Sequence, residues 1–318
     1  MVSYSIKMMG IFLKLDKINE NIDRVAADVK ELVIVTKCLN LTNELIEGLN
    51  LGNHYIYDTR LDNLKLLRKS NKKLLFHYPH YKIVGDETSR VIVSDKNELE
   101  GATKDNVKTI YLNFDFGDKR DGFYPHQKEE ILNYLRSLNL KNRKLVLMGN
   151  IGCFESKKPN KKYFDDLYEL NEYFTKKDVN ISYPSIGGSN CLPFLKDQDK
   201  RRIFKNAELR IREALFTGTI PHSDIEYGLN REIAFLKTNV SNRDGSFLAG
   251  FGYNHLDQSC ILSKSGIRIQ FQSSDMSSLR LNNKTKDELL KNSQILIPIS
   301  YKGLSRLSYI KDIKYNFV

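Results

Sequence analysis

The chain has 318 residues, of which 41% are hydrophobic and 28% charged, so it is long enough for two domains and has the composition of a soluble globular protein. No apolar run approaches the roughly 18 residues of a membrane helix, and the first residues lack the features of a signal peptide, so we expect a cytoplasmic protein with no membrane partner. The formal net charge of +11 suits a polyanion or an anionic small molecule, but the basic residues are scattered and do not interleave with aromatic ones, which argues against nucleic acid binding.

Strand-like apolar runs alternate with helical patterns over the first two thirds of the chain. The predicted strands are Leu32–Thr36, Tyr55–Asp58, Leu74–Phe76, Val91–Val93, Thr109–Asn113, Leu145–Met148, Ile181–Tyr183 and Leu209–Ile211. The predicted helices are Leu15–Val29, Leu41–Leu49, Leu61–Lys69, Lys96–Ala102, Lys128–Leu138, Tyr163–Lys176 and Leu195–Asn206. This alternation predicts a (β/α)8 barrel.

An open doubly wound sheet is the rival fold. That fold normally carries a glycine-rich turn after its first strand, whereas here the strand is followed by Lys37-Cys38-Leu39-Asn40. The pattern changes after about Pro221 to short alternating runs separated by turn residues, which predicts a small all-β domain. We therefore place the barrel at 1–225 and a C-terminal β domain at 226–318, with the first residues as candidates to join the β domain.

The residues at the carboxyl ends of the predicted strands are those that a barrel delivers to its active site. They are Lys37, Asp58 with Arg60, His77, the stretch from Asp115 to Arg120, Asn150, the turn Gly187-Gly188-Ser189-Asn190, and Arg210. A lysine after a strand is usually a solvated strand end, but a desolvated one can form a Schiff base with a carbonyl. Together with a turn whose N–H groups can cradle a phosphate, it indicates a site for a phosphorylated, carbonyl-bearing cofactor.

The four cysteines are far apart and form no CxxC pair, so the sequence predicts neither a disulfide framework nor a zinc site. Cys38, Cys153, Cys191 and Cys260 are expected to be free thiols in a reducing compartment. No metal site is predicted elsewhere.

Several segments, in order, resemble the alanine racemase group of fold-type III pyridoxal phosphate (PLP) enzymes, and within it the alanine/ornithine/lysine racemase branch. The segments are Val35-Thr36-Lys37, Asp58-Thr59-Arg60-Leu61-Asp62-Asn63, Phe116-Gly117-Asp118-Lys119-Arg120-Asp121-Gly122, Gly149-Asn150-Ile151-Gly152-Cys153, Gly187-Gly188-Ser189, Leu209-Arg210-Ile211-Arg212-Glu213-Ala214, Phe251-Gly252-Tyr253 and Ser273-Ser274-Asp275. Tyr301 stands where the family has its final tyrosine, and the resemblance spans roughly Phe12 to Tyr301.

The resemblance implies a role for each matching residue. Lys37 would hold PLP and act as one acid–base catalyst, and Tyr253, from the partner subunit of a head-to-tail homodimer, would be the other. The remaining cofactor-binding residues implied are Arg120, Asn150, Gly188, Ser189, Arg210, the backbone N–H groups of Arg212 and Glu213, and Tyr301. Arg120 would also bind substrate, together with Ser274 and Asp275 of the β domain.

Two of these positions have physical consequences. An arginine such as Arg210 at the pyridine nitrogen disfavours ring protonation, because its own pKa lies above about 12. This favours return of the proton to Cα and argues against decarboxylation. Arg212 replaces a family glycine and brings a cation to the phosphate-facing backbone. Tyr253 lies in Phe-Gly-Tyr-Asn-His rather than Ile-Gly-Tyr-Ala-Asp, so His255 is the alternative second base.

The resemblance therefore implies a PLP-dependent amino-acid racemase, whose substrate is a free amino acid. The branch resemblance favours a basic substrate such as ornithine or lysine, with Asp118, Asp257 and Asp275 as candidate partners for its distal ammonium group. The alternatives are a non-catalytic PLP-binding or homeostasis protein, which would end after the barrel, a decarboxylase or D-amino-acid lyase of the same fold, and a basic binding module without cofactor.

Overall fold

The structure is a computed structural model that describes residues 9–150, 159–196, 204–221, 227–243, 246–292 and 294–317. Its strands are β1 (Gly10–Leu13), β2 (Glu31–Val35), β3 (Tyr55–Tyr57), β4 (Lys73–His77), β5 (Arg90–Val93), β6 (Thr109–Asp115), β7 (Lys144–Asn150), β8 (Ser185–Gly187), β9 (Glu208–Ile211), β10 (Ala234–Arg243), β11 (Ser246–Ala249), β12 (Ile267–Gln272), β13 (Ser277–Leu281), β14 (Gln294–Pro298) and β15 (Lys314–Phe317). Its α-helices are α1 (Leu15–Ala26), α2 (Asn43–Gly48), α3 (Leu61–Lys69), α4 (Tyr81–Val84), α5 (Lys96–Lys104), α6 (Lys128–Ser137), α7 (Lys161–Thr175), α8 (Glu213–Thr217), α9 (Asn283–Asn292) and α10 (Tyr301–Leu307).

Strands β2 to β9 pair in parallel and close into an eight-stranded barrel, which confirms the predicted fold. The barrel closes where β9 pairs with β2, with Glu208 opposite Glu31. Helices lie between successive strands and cover the outside through one apolar face, as in α1, where Ile18, Ile22 and Val25 are buried.

The interior of the barrel is filled by side chains that alternate with those facing the helices. On β2, Val33 and Val35 belong to the inner cluster, whereas Leu32 and Ile34 pack outward. Tyr57, Ile92, Tyr111, Val146 and Met148 are further members of the inner cluster. Lys37 follows Val35 by two residues, so the chain delivers it to the carboxyl-end mouth of the barrel.

The seventh predicted strand was wrong, and the start of the last predicted helix, at Leu195, differs from the structure. The barrel strand is β8, and Ile181 makes only an isolated bridge to Leu145. β8 reads Ser-Ile-Gly, so it has no apolar run by which it could be recognised. In place of a helix from Leu195, a 3-10 helix spans Ser189–Lys196 and contains Pro193, which lacks the N–H group that an α-helix needs. Residues 197–203 lie outside the described residues.

The second sheet has the strand order β12-β13-β11-β10-β1-β15, and β14 also pairs with β10. The N-terminal strand β1 lies between β10, to which it is antiparallel, and β15, to which it is parallel. This sheet confirms the predicted second, β-rich domain, and two helices that the sequence pattern did not predict, α9 and α10, accompany it. Both helices are short, and α9 is mostly polar, which gave little periodic signal. Among the described residues, no helix combines the length and apolarity that a membrane crossing requires.

Candidate functional site

Two adjoining cavities open at the carboxyl ends of the barrel strands. The larger one has a volume of about 240 Å³ and is lined by Val35, Lys37, Tyr57, Asn150, Gly187, Gly188, Ser189, Asn190, Arg210, Arg212, Glu213 and Pro221. The smaller one, of about 60 Å³, is lined by Lys37, Tyr57, His77, Asn113, Phe114, Asp115, Asp118, Arg120, Asp121, Met148 and Asn150. Lys37, Tyr57 and Asn150 border both, so the cavities form one site.

The loop that carries Lys37 is held by the second barrel strand and the helix after it. The buried Asp58 carboxylate accepts hydrogen bonds from Thr36 Oγ1 at 2.7 Å and from Asn63 Nδ2 at 3.0 Å. Asn63 also donates to the Leu39 carbonyl at 2.8 Å and accepts from the Leu41 N–H at 3.0 Å. These bonds hold the Thr36 side chain before Lys37 and the backbone of Leu39 and Leu41 after it, so they fix where the Lys37 side chain starts.

A tyrosine of the C-terminal domain closes this loop from the other side. The Tyr309 hydroxyl lies 2.5 Å from the Leu39 carbonyl and 3.3 Å from the Lys37 carbonyl. The Arg60 guanidinium carbon lies 3.1 Å from the centre of the Tyr309 ring. The Arg60 side chain therefore stacks on the second domain. Its backbone N–H donates a hydrogen bond to the Asp58 carboxylate at 2.9 Å. Nothing in the sequence singled out Tyr309, because its role depends on a contact across 272 positions of the chain.

Arg210 is a buried cation on the wall of the larger cavity, with 2% of its surface exposed. Its Nη2 donates to the Gly149 carbonyl at 2.9 Å and to Asn150 Oδ1 at 2.7 Å. Its Nη1 donates to Ser185 Oγ, which in turn donates to the buried Glu208 carboxylate. Three directed bonds therefore set the plane of the guanidinium group, and Asn150 faces the cavity as its partner.

A chain of buried polar groups continues from Arg210 into the barrel. Glu208 Oε2 accepts from the Tyr111 hydroxyl at 2.6 Å and from Arg90 Nη1 at 2.9 Å, and Arg90 also pairs with Glu31 at 2.8 Å. Burial raises the pKa of the Glu208 carboxyl, which its hydrogen bonds and Arg90 partly oppose. The buried Arg210 and the partly exposed Arg90 thus lie in one hydrogen-bonded chain with the Glu208 and Glu31 carboxyl groups.

The turn after β8 also lines the larger cavity, beside Arg210 and Asn150. Gly188 has φ +115°, which is a glycine conformation, and a Cβ there would lie 2.2 Å from Asn190 Oδ1. Ser189 Oγ accepts a hydrogen bond from the Ala214 N–H at 3.1 Å and so keeps its own proton to donate into the cavity. The turn therefore presents small residues and donors to a ligand.

Gly187 allows Arg210 and Asn150 to approach the backbone. A Cβ at Gly187 would lie 1.8 Å from Asn150 Oδ1 and 2.6 Å from Arg210 Nη2. We expect Gly187→Ala to displace both side chains and to weaken cofactor binding by about tenfold or more, measured by absorbance titration of the purified protein. Gly250→Ala is the control, because its Cβ would meet only Thr238 Oγ1 at 3.5 Å. Equal cofactor affinity in the two variants would contradict this account.

The end of the larger cavity beside α8 is basic and aromatic. Arg212 precedes the first residue of α8, and its guanidinium carbon lies 4.8 Å from the centre of the Tyr301 ring. The Cys38 thiol lies against the Tyr301 hydroxyl, and burial raises the pKa of that thiol to about 12, so it stays protonated. Glu213 also lines the cavity, and its carboxylate accepts a hydrogen bond from Thr219 Oγ1 at 2.9 Å. Arg212 thus supplies the positive charge at this end.

The smaller cavity contains Arg120 together with acidic and aromatic groups. Asp118 is 4% exposed, and the Arg120 side chain is 36% exposed. Asp115 accepts backbone N–H groups of Gly117 and Arg120 and so shapes the loop. His77, which the predicted strand ends included without a role, borders this cavity and hydrogen-bonds Tyr57 at 3.0 Å.

The predicted residues of the C-terminal domain do not border these cavities within the described part of the chain. Tyr253 is 55% exposed, and Ser274 donates to the neighbouring Asp275 at 3.0 Å. His255 Nδ1 accepts from the Gly252 N–H at 3.2 Å, which ties it to its own turn. Asp257 forms ion pairs with two cations of α10, at 2.8 Å and 3.2 Å.

Known proteins resemble this chain in fold. A scan of protein-family models and a search of curated proteins found no match to the sequence. Among solved structures, alanine racemase from Corynebacterium glutamicum is similar over 98% of this chain and 100% of its own, with a TM-score of 0.71 and 12% sequence identity. Biosynthetic alanine racemase from Pseudomonas aeruginosa matches 98% of this chain and 99% of its own, with a TM-score of 0.69 and 15% identity.

D-threonine aldolase from Filomicrobium marinum is a further structural match, over 94% of this chain and 88% of its own, with a TM-score of 0.69 and 12% identity. At these identities the similarity shows a shared fold, the closed parallel barrel with a second sheet. It does not by itself assign an activity to this chain.

Proposed function

We propose that this protein is a PLP-dependent amino-acid racemase. The observation that carries the proposal is the convergence of Lys37, the buried Arg210 and the Gly187–Ser189 turn on one cavity at the carboxyl-end mouth of a parallel barrel. A lysine amine, a cation and a phosphate-type turn are the three groups that a phosphorylated aldehyde cofactor needs. They come from the first, last and second-last strands of the barrel, so only the closed fold brings them together.

The residues present fit the cofactor. Lys37 would bind its aldehyde carbon, and Arg210 would face its ring nitrogen. The phosphate would lie at the Ser189 hydroxyl, near Arg212, Tyr301 and the backbone N–H groups of Arg212 and Glu213. Gly187 and Gly188 leave the space that this requires, since a Cβ at either position would collide with a neighbouring side chain.

When bound, PLP would supply the electron sink that acidifies the substrate α-proton. The chain's own residues would then control the proton. Lys37 would remove it from, or return it to, one face of Cα. Three hydrogen bonds hold the Arg210 guanidinium in place, and an arginine at that position would not protonate the ring nitrogen. This arrangement supports prompt return of a proton to Cα.

Inversion needs a second acid–base group on the opposite face of Cα. We assign this role to Tyr253 of a second copy of the chain, with Ser274 and Asp275 of that copy near the substrate. The 55% exposure of Tyr253 supports this assignment, because a large aromatic side chain left on the surface is available to a partner. The active protein would therefore be a head-to-tail homodimer with shared sites.

A basic amino acid such as ornithine or lysine is the substrate that we propose. Of the three candidate partners for a distal ammonium group, Asp257 is paired with Lys302 and Arg306, and Asp275 lies outside the cavities within one chain. Asp118 borders the smaller cavity together with Lys37 and Arg120. Its carboxylate is the group best placed to receive a second positive charge, while Arg120 would bind the substrate carboxylate.

The test is a substrate screen with purified protein and added PLP. Each L-amino acid is incubated separately, and the enantiomer is quantified by chiral chromatography. We expect D-ornithine or D-lysine to form faster than D-alanine or D-serine. Bound cofactor with no inversion of any amino acid would support the homeostasis alternative, release of an amine would support a decarboxylase, and cleavage of a β-hydroxy amino acid would support an aldolase.

A further inference from the structure

Tyr57 and His77 form a hydrogen-bonded pair beside Lys37. The Tyr57 hydroxyl and His77 Nε2 are 3.0 Å apart, and the two rings are tilted by 48° with their centres 6.1 Å apart. Tyr57 is 7% exposed and borders both cavities, whereas His77 borders the smaller one. The hydrogen bond therefore fixes the orientation of a buried ring inside the site.

The Tyr57 ring faces the Lys37 side chain. Lys37 Nζ lies 5.3 Å from the centre of that ring, within the distance at which an ammonium group is attracted to an aromatic face. The attraction acts only on the charged form of Lys37, so it distinguishes a lysine that carries a proton from one that does not.

We propose that the Tyr57 ring, held by His77, stabilises the ammonium group that Lys37 becomes when it takes the α-proton of the substrate. This inference rests on the proposed function and adds to it two residues to which the resemblance assigns no role. Tyr57 and His77 are positioning residues, because they act through Lys37. In one direction Lys37 Nζ takes the proton from Cα while Tyr253 of the partner subunit gives one to the opposite face, in the other direction the two roles are exchanged, and the Tyr57–His77 pair exchanges no proton.

The charges around the pair suit this role. Burial raises the pKa of Tyr57 to about 12, and burial lowers the pKa of His77, so both are neutral at neutral pH. The other groups that face His77 are Asp121, which favours its charged form, and Lys37, His80 and Arg120, which oppose it. Those that face Tyr57 are Arg210, Asp121, Arg120 and Asp58. Because both members of the pair are neutral, neither adds a positive charge beside the cation at Lys37.

The first test uses the cofactor-free protein, so it does not depend on activity. Acetylation of Lys37 by N-hydroxysuccinimidyl acetate requires the neutral amine, and its rate can be followed by peptide mass spectrometry over a range of pH, with Lys161 as the exposed reference. We expect Tyr57→Leu to move the half-maximal rate to a pH lower by about 0.4 to 1.5, because the ammonium group loses the aromatic face. Tyr57→Phe keeps the ring and should move it less.

Two controls separate this effect from a change in access. Met148→Ala enlarges the smaller cavity without removing the ring, so it should alter the maximal rate of acetylation but not the pH of the half-maximal rate. His77→Leu should shift the profile as much as Tyr57→Phe does. The double variant Tyr57→Phe/His77→Leu should shift it no further than either single variant, because each of the three removes the same Tyr57–His77 hydrogen bond. An unchanged profile in Tyr57→Leu, or additive effects, would overturn the proposal.

The second test is turnover of the holoenzyme in each direction. Tyr57→Leu should lower kcat by about twofold to thirtyfold in both directions, with KM nearly unchanged, because the equilibrium constant between enantiomers is one and fixes the ratio of the two rates. If Tyr57→Leu shifts the pH profile of Lys37 acetylation as expected but the wild-type protein racemises no amino acid, the proposed function is refuted and the contact between Tyr57 and the Lys37 ammonium group is supported. If wild type racemises and Tyr57→Leu leaves kcat unchanged, the role in proton transfer is overturned.

Discussion

Lys37→Ala is expected to abolish both the absorbance of lysine-linked cofactor and racemase activity. Lys37 is the lysine that borders both cavities, and its loop is fixed by Asp58, Asn63 and Tyr309. Loss of the proton transfer alone should lower kcat by on the order of 10² to 10⁴-fold, and loss of the covalent link adds to this. Absorbance spectra of the purified protein with PLP and chiral chromatography of the products measure the two effects.

Lys161→Ala is the matched control for this variant. Lys161 is an exposed helical lysine paired with Asp165 at 2.7 Å, so its removal should leave spectrum and turnover unchanged. Reduction of the wild-type complex with borohydride followed by peptide mass spectrometry should place the cofactor on Lys37. A cofactor mass on another lysine, or a Lys37→Ala protein that keeps the absorbance, would refute the assignment of the site.

Tyr253→Phe should keep the cofactor absorbance and lose turnover. The hydroxyl is the group that would exchange the proton on the second face of Cα, and the phenyl ring that remains preserves the surface contact. We expect kcat to fall by on the order of 10² to 10⁴-fold while cofactor affinity stays within about twofold. His255→Ala is the comparison, and a larger loss there would transfer the role of second base to His255.

Mixing the two inactive variants tests whether the sites are shared. In a hybrid dimer, one site combines Lys37 of the Tyr253→Phe chain with Tyr253 of the Lys37→Ala chain and is therefore intact. Random exchange of equal amounts makes half of the dimers hybrid, with one of two sites active, so activity should recover to about one quarter of the wild-type value. No recovery after verified subunit exchange would show that Tyr253 does not act across subunits.

The sequence was sufficient for the barrel because its strands are buried on both faces and read as apolar runs. Seven of the eight predicted strands overlap the observed ones, such as Leu32–Thr36 against β2. The exception is β8, where the barrel uses Ser185 and Gly187 to admit Arg210 and Asn150. β8 therefore lacks an apolar run because the site requires small residues there. Prediction from local sequence is expected to fail at functional sites of this kind.

The sequence by itself determined which residues have the chemistry for a site, because residue type and position at a strand end are local properties. Lys37, Gly187–Ser189 and Arg210 were predicted in this way, and the closed barrel brings them around one cavity. Their meeting could be inferred because the carboxyl ends of parallel strands share one edge of a barrel.

Only the tertiary structure decided which side chains hold them. The Tyr309 bonds to the Lys37 loop, the Tyr57–His77 pair and the chain from Arg210 through Ser185 to Glu208 join residues 20 to 272 positions apart. Such contacts depend on the closure of the barrel and on the docking of the second domain, and no local pattern encodes them. Residue types therefore determine the chemistry that this site can perform, and long-range packing determines its geometry.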